Sequence, residues 1–141
     1  MIIGIDPGVH VGFAVWSRTT KEFEKISTCS FWQCIAELDI MHEAYIDITV
    51  VIEDVTQNRP TFNRGVYGAV QNKISQNVGS NKRDCQLIIE WCEERGIKVV
   101  RLRPNKNSMT KKSAAYFRQQ TGWTKKTSQH GRDAAFLVWQ Y

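Results

Sequence analysis

The chain opens Met1-Ile2-Ile3-Gly4-Ile5-Asp6-Pro7-Gly8, and the reading of these eight residues decides the fold. A short apolar, β-branched run ends in a carboxylate and is stopped at once by Pro-Gly. That pattern predicts a buried strand delivering Asp6 to its own end, followed by a forced turn. Two later stretches, ending at Glu53 and at Asp133, repeat the gesture and are expected to converge on Asp6.

Working outward, Val11–Trp16 is a second short apolar run, Arg18–Lys21 reads as a hairpin turn, and Glu22–Cys29 alternates as a third strand. Three strands with short connections form an antiparallel meander. From Phe31 to Tyr45 the period becomes helical, with Trp32, Ile35, Leu38 and Met41 or His42 as the apolar stripe. Asp47–Ile52 is a dense β-branched run, typical of a strand buried on both faces. Val55–Ser80 reads as irregular, with a short helix near Tyr67–Gln76. Asp84–Arg95 reads as a helix with Leu87, Ile88, Trp91 and Cys92 on its stripe and Gly96 as its stop. Ile97–Leu102 is a fifth strand. Thr110–Gln120 is a helix ended by Gly122, Trp123–Gln129 a polar loop, and Arg132–Tyr141 a last helix. The expected architecture is α/β, a mixed five-stranded sheet with helices on its faces, in a single domain spanning 1–141.

At 141 residues the chain can bury a core without disulfides or a structural metal. It carries no basic and apolar leader and no run of membrane-spanning length, so a cytoplasmic protein with no membrane partner is expected. The four cysteines, Cys29, Cys34, Cys85 and Cys92, form no CxxC and sit beside no histidine at zinc-finger spacing. They read as reduced core residues, Cys85 and Cys92 sharing one helix face. Charge is segregated. Met1–Glu94 holds eight Lys/Arg against thirteen Asp/Glu, whereas Arg95–Arg132 holds eleven Lys/Arg and no acid. Thr56–Arg83 is a second acid-free window. Such windows fit a solvated basic surface, and they also suit a polyanion whose counterions clustered cations displace.

If the strands ending at Asp6 and Glu53 are parallel neighbours, their carboxylates lie about 5 Å apart at the ligand-binding end of the sheet. His130 and Asp133 share a helix face at i, i+3. Acids so gathered suit a hard divalent cation, and two cations roughly 3.5–4 Å apart catalyse in-line phosphodiester hydrolysis. Each acid also has a plain reading: Asp6 before a turn, Glu53 at a solvated strand end, Asp133 as a helix cap. Of Glu53 and Asp54, strand alternation lets only one face the metals.

Gly4-Ile-Asp-Pro-Gly8 with Gly12, Val51-Ile-Glu53 and His130-Gly-Arg-Asp-Ala-Ala135 together resemble the RuvC-type Holliday-junction resolvases of the RNase H-like superfamily. The resemblance covers nearly the whole chain. It implies a sheet in the order 3-2-1-4-5, two Mg²⁺ or Mn²⁺ ions, and a catalytic, metal-binding set of Asp6, Glu53, His130 and Asp133. By position, Asp6 would bridge the metals, Glu53 would ligate one and Asp133 would complete the second, leaving Asp54 as a supporting or surface residue. Bacterial members often carry aspartate where this chain has His130, which is then either a ligand or a proton carrier. The resemblance further implies branched DNA, a four-way junction, as partner and a homodimer built near the Tyr67–Gln76 helix. It also fits a phage or mobile-element origin.

DNA contacts are expected from Arg59, Phe62, Arg64 and Tyr67, with Phe62 as an aromatic wedge or, alternatively, a core residue. Lys106, Lys111, Lys112, Lys125 and Lys126 would hold phosphates without reading sequence. The competing classes are another RNase H-like nuclease acting on flaps or RNA–DNA hybrids, a non-catalytic junction binder, and a sugar-kinase-like ATPase. The last needs two lobes and far more chain.

Overall fold

A computed structural model describes residues 1–57, 69–104 and 113–141, the side chains of 69–74 excepted. Its strands are β1 (Ile2–Asp6), β2 (Val11–Ser17), β3 (Glu22–Cys29), β4 (Thr49–Glu53) and β5 (Lys98–Leu102). Its helices are α1 (Phe31–Ala44), α2 (Ala69–Glu94), α3 (Ala114–Thr121) and α4 (Gln129–Val138). The sheet runs β3-β2-β1-β4-β5. β1, β2 and β3 form the expected antiparallel meander, while β1–β4 and β4–β5 are parallel. β1 is the middle strand, which explains its unbroken apolar run.

The pleat divides the core into two layers, because successive side chains take opposite faces. Ile3, Ile5, Val11, Phe13, Val15, Val50 and Ile52 pack against Cys34 and Leu38 of α1 and against Cys85, Ile88, Ile89 and Cys92 of α2. Ile2, Ala14, Trp16 and Val51 pack against Phe117 of α3 and Ala134, Ala135 and Val138 of α4. Strands covered on both faces need no polar side, so all seven residues of β2 are buried.

Several helix expectations need correction. Trp32 is 77% exposed and lies off the buried stripe, which is centred on Cys34 and Leu38. Ser30 starts α1 with a capping box, its hydroxyl accepting from Gln33 N while Gln33 Oε1 accepts from Ser30 N. Of the stretch read as irregular plus a short helix, the part from Ala69 onward continues unbroken into the next helix as α2, 26 residues long, and residues 58–68 lie outside the described ones. Its described first half is polar and mostly exposed, so it shows no apolar period, and Gly79 does not interrupt it. α4 begins at Gln129, three residues earlier than expected, because Ser128 caps it by accepting from Gly131 N at 3.0 Å. Asp133 is therefore inside the helix and is not its cap. Gly122 does end α3, in the left-handed conformation at φ 71°. Among the described residues, no helix is long and apolar enough to cross a membrane.

Two glycines set how closely α4 lies on the sheet. A Cβ at Gly4 would overlap the carbonyl oxygen of Ala134, and one at Gly12 would overlap that of His130. The helix backbone rests directly on β1 and β2, the close approach that glycine inside a strand permits. Gly4→Ala and Gly12→Ala should each cost at least about 3 kcal/mol in chemical denaturation, since backbone rather than a movable side chain blocks the methyl. Gly79→Ala has open space around it and should stabilise the protein by about 0.5–1 kcal/mol. Equal effects at the three glycines would contradict this packing.

Candidate metal centre

Asp6 is the last residue of β1, and Pro7 turns the chain away from it. The β1–β4 register ends at Ile5↔Ile52, so Asp6 and Glu53 occupy the next position on each strand and share a face. That face is the one α4 covers. Asp6 pairs with Gly12 on its other side, where the missing side chain leaves room for the start of α4.

The start of α4 is pinned to the sheet edge. Thr28 of β3 and Ser128 share a hydroxyl hydrogen bond, and Arg132 Nη1 donates to Thr127 O at 3.1 Å. The first turns of the helix then stand over the end of β1. His130 Nδ1 lies 3.0 Å from Asp6 Oδ2, although these residues are 124 apart in sequence. One ligand atom from each of Asp6, His130 and Asp133 lies within 4.8 Å of the other two. Glu53 stands beside this trio and outside that spacing. Its carboxyl is nonetheless raised above the usual range, first by burial and then by the charges of Asp6 and Asp133. Burial also raises Asp6, against the hydrogen bond and charge of His130, which lower it.

Three carboxylates, two of which disfavour the charge of the third, Glu53, form with one imidazole 46% exposed a donor set suited to a hard divalent cation. A cation would remove the repulsion that the fold imposes here. A pocket of about 370 Å³, lined by Thr56, Gln86, Ile89, Glu90, Glu93 and Arg101, involves α2 and none of these acids.

Asp54 has the opposite environment. The pleat sends it to the α2 face, where it is wholly buried rather than at the surface. Burial would raise its carboxyl, but hydrogen bonds from Thr56, Gln57 and Arg101 outweigh it and hold the pKa at about 2. Arg101 Nη2 and Nε approach Oδ2 at 2.8 and 2.9 Å, Gln57 Nε2 at 2.8 Å, and Thr56 Oγ1 donates to Oδ1 at 2.5 Å. Asp54 N also donates to Leu102 O at 2.7 Å, so this acid locks the ends of β4 and β5 and fixes the backbone that carries Glu53.

Of the residues expected to touch DNA, Lys125 and Lys126 are exposed in the loop leading to α4, Lys125 Nζ standing 5.3 Å from the Trp123 ring centre. Arg59, Phe62, Arg64, Tyr67, Lys106, Lys111 and Lys112 lie outside the described residues. Sequence reasoning missed Ser128 as the cap that starts α4, although Ser before a helical pattern is a recognised start signal. It also missed His10, whose ring centre is 6.3 Å from that of His130. A turn histidine has no periodic signal that could mark it. The sequence matches no protein-family model and no curated protein.

Two outcomes test this electrostatic picture. Asp54 has a depressed folded-state pKa, so its contribution is present above its ordinary value near 3.8 and is lost as pH falls from there to about 2. Asp54→Asn should cost about 2.5 kcal/mol at neutral pH in denaturant titrations, the deficit vanishing across that acid window. Glu53→Gln should do the reverse, raising the melting temperature of metal-free protein at pH 7. It should also reduce the further rise that Mn²⁺ or Mg²⁺ produces in the parent chain. A Glu53→Gln protein that melts lower, with an undiminished metal response, would remove Glu53 from the centre.

Proposed function

We propose that this chain is a metal-dependent endonuclease of the RuvC type, with an RNase H-like fold, that resolves four-way DNA junctions by paired phosphodiester hydrolysis. The observation that carries the reading is the gathering of Asp6, His130 and Asp133, with Glu53 in register beside Asp6, at the carboxyl ends of two parallel strands. The sheet order β3-β2-β1-β4-β5 and the basic segment leading into α4 support it.

Asp6, Glu53, Asp133 and His130 would hold two Mg²⁺ or Mn²⁺ ions. Those ions, when bound, supply the Lewis acidity that activates a water and stabilises the leaving oxygen of an in-line displacement. The chain's own part is positioning. Asp6, hydrogen-bonded to His130 and grouped with Asp133, would be a ligand shared by the whole set. Glu53 and Asp133 approach from either side, one from β4 and one from α4. His130 directs Nδ1 at Asp6, which leaves Nε2 as a second ligand atom or as the carrier of a proton at a phosphate oxygen. Lys125 and Lys126 place cations in the loop that leads to the site, and the sequence Arg95–Arg132 carries no acid to oppose them, giving phosphate attraction without base specificity.

Two nicks in symmetry-related strands require two centres, so the active form is a homodimer. A panel of four-way junction, fork, flap and RNA–DNA hybrid substrates tests the assignment. Paired, symmetric, Mg²⁺-dependent cuts in the junction are expected, and Asp6→Asn should abolish them while junction binding persists. Preferential cutting of flaps or hybrids would assign another nuclease activity to the same fold. Equal cleavage by Asp6→Asn would overturn the mechanism.

A further inference from the structure

Cys29 and Cys34 flank the start of α1. Cys29 ends β3 and is half-buried, with its Sγ 3.7 Å from Val11 O. Cys34 lies in the first turns of α1 and is wholly buried. Ser30 follows Cys29, and its carbonyl accepts from Cys34 N at 2.9 Å, so the helix start itself folds one cysteine back towards the other. The capping box of Ser30 and Gln33 fixes that turn, and it sets Cys29 just before the cap and Cys34 four residues after it, the two positions whose side chains pack on each other across a helix start. An Lys25–Glu37 ion pair at 2.5 Å stands beside them.

We propose that Cys29 and Cys34 are a peroxide-oxidisable dithiol that closes to an intramolecular disulfide. Accessibility separates the two roles. Cys29 is the thiol that solvent reaches, and Cys34, sheltered beneath it, is the partner that resolves the oxidised form. The electrostatics agree with this division. The Cys34 thiol lowers the Cys29 thiol pKa, with help from Lys25 and against burial and Glu37, while Cys29 and burial raise Cys34. Cys85 and Cys92 lack these conditions. Both are buried, and burial pushes their thiols up to about 11 and about 12.

The chemistry balances with hydrogen peroxide as oxidant. The Cys29 thiolate attacks one peroxide oxygen, the O–O bond breaks, and hydroxide leaves as water after taking a proton. The product is a sulfenic acid on Cys29. The Cys34 sulfur then attacks the Cys29 sulfur and loses its proton, the S–O bond breaks, and a second water leaves. Two thiols have lost two hydrogens and two electrons, and one peroxide has become two waters.

The test uses the full chain, reduced and then exposed to stoichiometric hydrogen peroxide. Intact mass should fall by about 2 Da with no dimer formed, and dithiothreitol should restore it. Reactive thiols in denatured protein should drop from four to two. No Lys or Arg separates Cys29 from Cys34, so the loss should map to one tryptic peptide. In Cys34→Ser, dimedone should capture a sulfenic acid on Cys29. In Cys29→Ser, thiol loss should slow about tenfold or more. Circular dichroism verifies that each variant is folded, and the parent chain alone decides the bond. Four surviving thiols, a disulfide of any other pairing, or dimedone capture on Cys34 in place of Cys29 would overturn the proposal.

Discussion

The contact on which this molecule depends is between backbone and backbone. α4 lies against β1 and β2 with no side chain between them at Gly4 and Gly12. A helix held further off would still bury Ala134, Ala135 and Val138 in part, but it could not bring His130 within hydrogen-bond distance of Asp6. The same closeness that completes the second core layer also assembles the acid cluster. Packing and site are therefore one constraint. Ser128, tied to Thr28 and capping the helix, fixes where along the sheet that closeness begins.

Glu53 and Asp54 show how little separates a stabilising acid from a destabilising one. They are adjacent in sequence, and the pleat gives them opposite faces. Asp54 meets a guanidinium, a hydroxyl and an amide, and its charge is favoured. Glu53 meets Asp6 and Asp133, and its charge is disfavoured. Such strain gathers where function needs ionised groups, while the neighbouring ion pair secures the scaffold around them.

The strands were legible because each is a short β-branched run stopped by turn residues, and the middle strands have no polar side to disguise them. The acids at the ends of β1 and β4 were legible for the same reason, as carboxylates at a strand's carboxyl end. Helices were less so. The described part of α2's first half is polar and mostly exposed, so no apolar period reports it. Trp32 fits the helical spacing of α1, yet it belongs to the outer face, because spacing alone does not say which of two adjacent stripes is buried. Cys29 looked like another core thiol, since its half-exposure comes from lying on an edge strand. Its neighbour Cys34 is seen only once the cap at Ser30 is known. The proximity of His10 to His130 is a tertiary fact with no sequence trace.

The separation of 124 positions between Asp6 and His130 also bears on when the cluster can exist during synthesis. The meander of β1, β2 and β3 closes through short loops and forms from neighbouring residues, so it is available early on the ribosome. The acid cluster needs contacts made across more than 120 positions of the chain and must wait for α4 to emerge. A nascent chain thus carries Asp6 for nearly the whole of its translation without His130 and Asp133 beside it. Assembly order alone makes this cluster one of the last features of the fold to form.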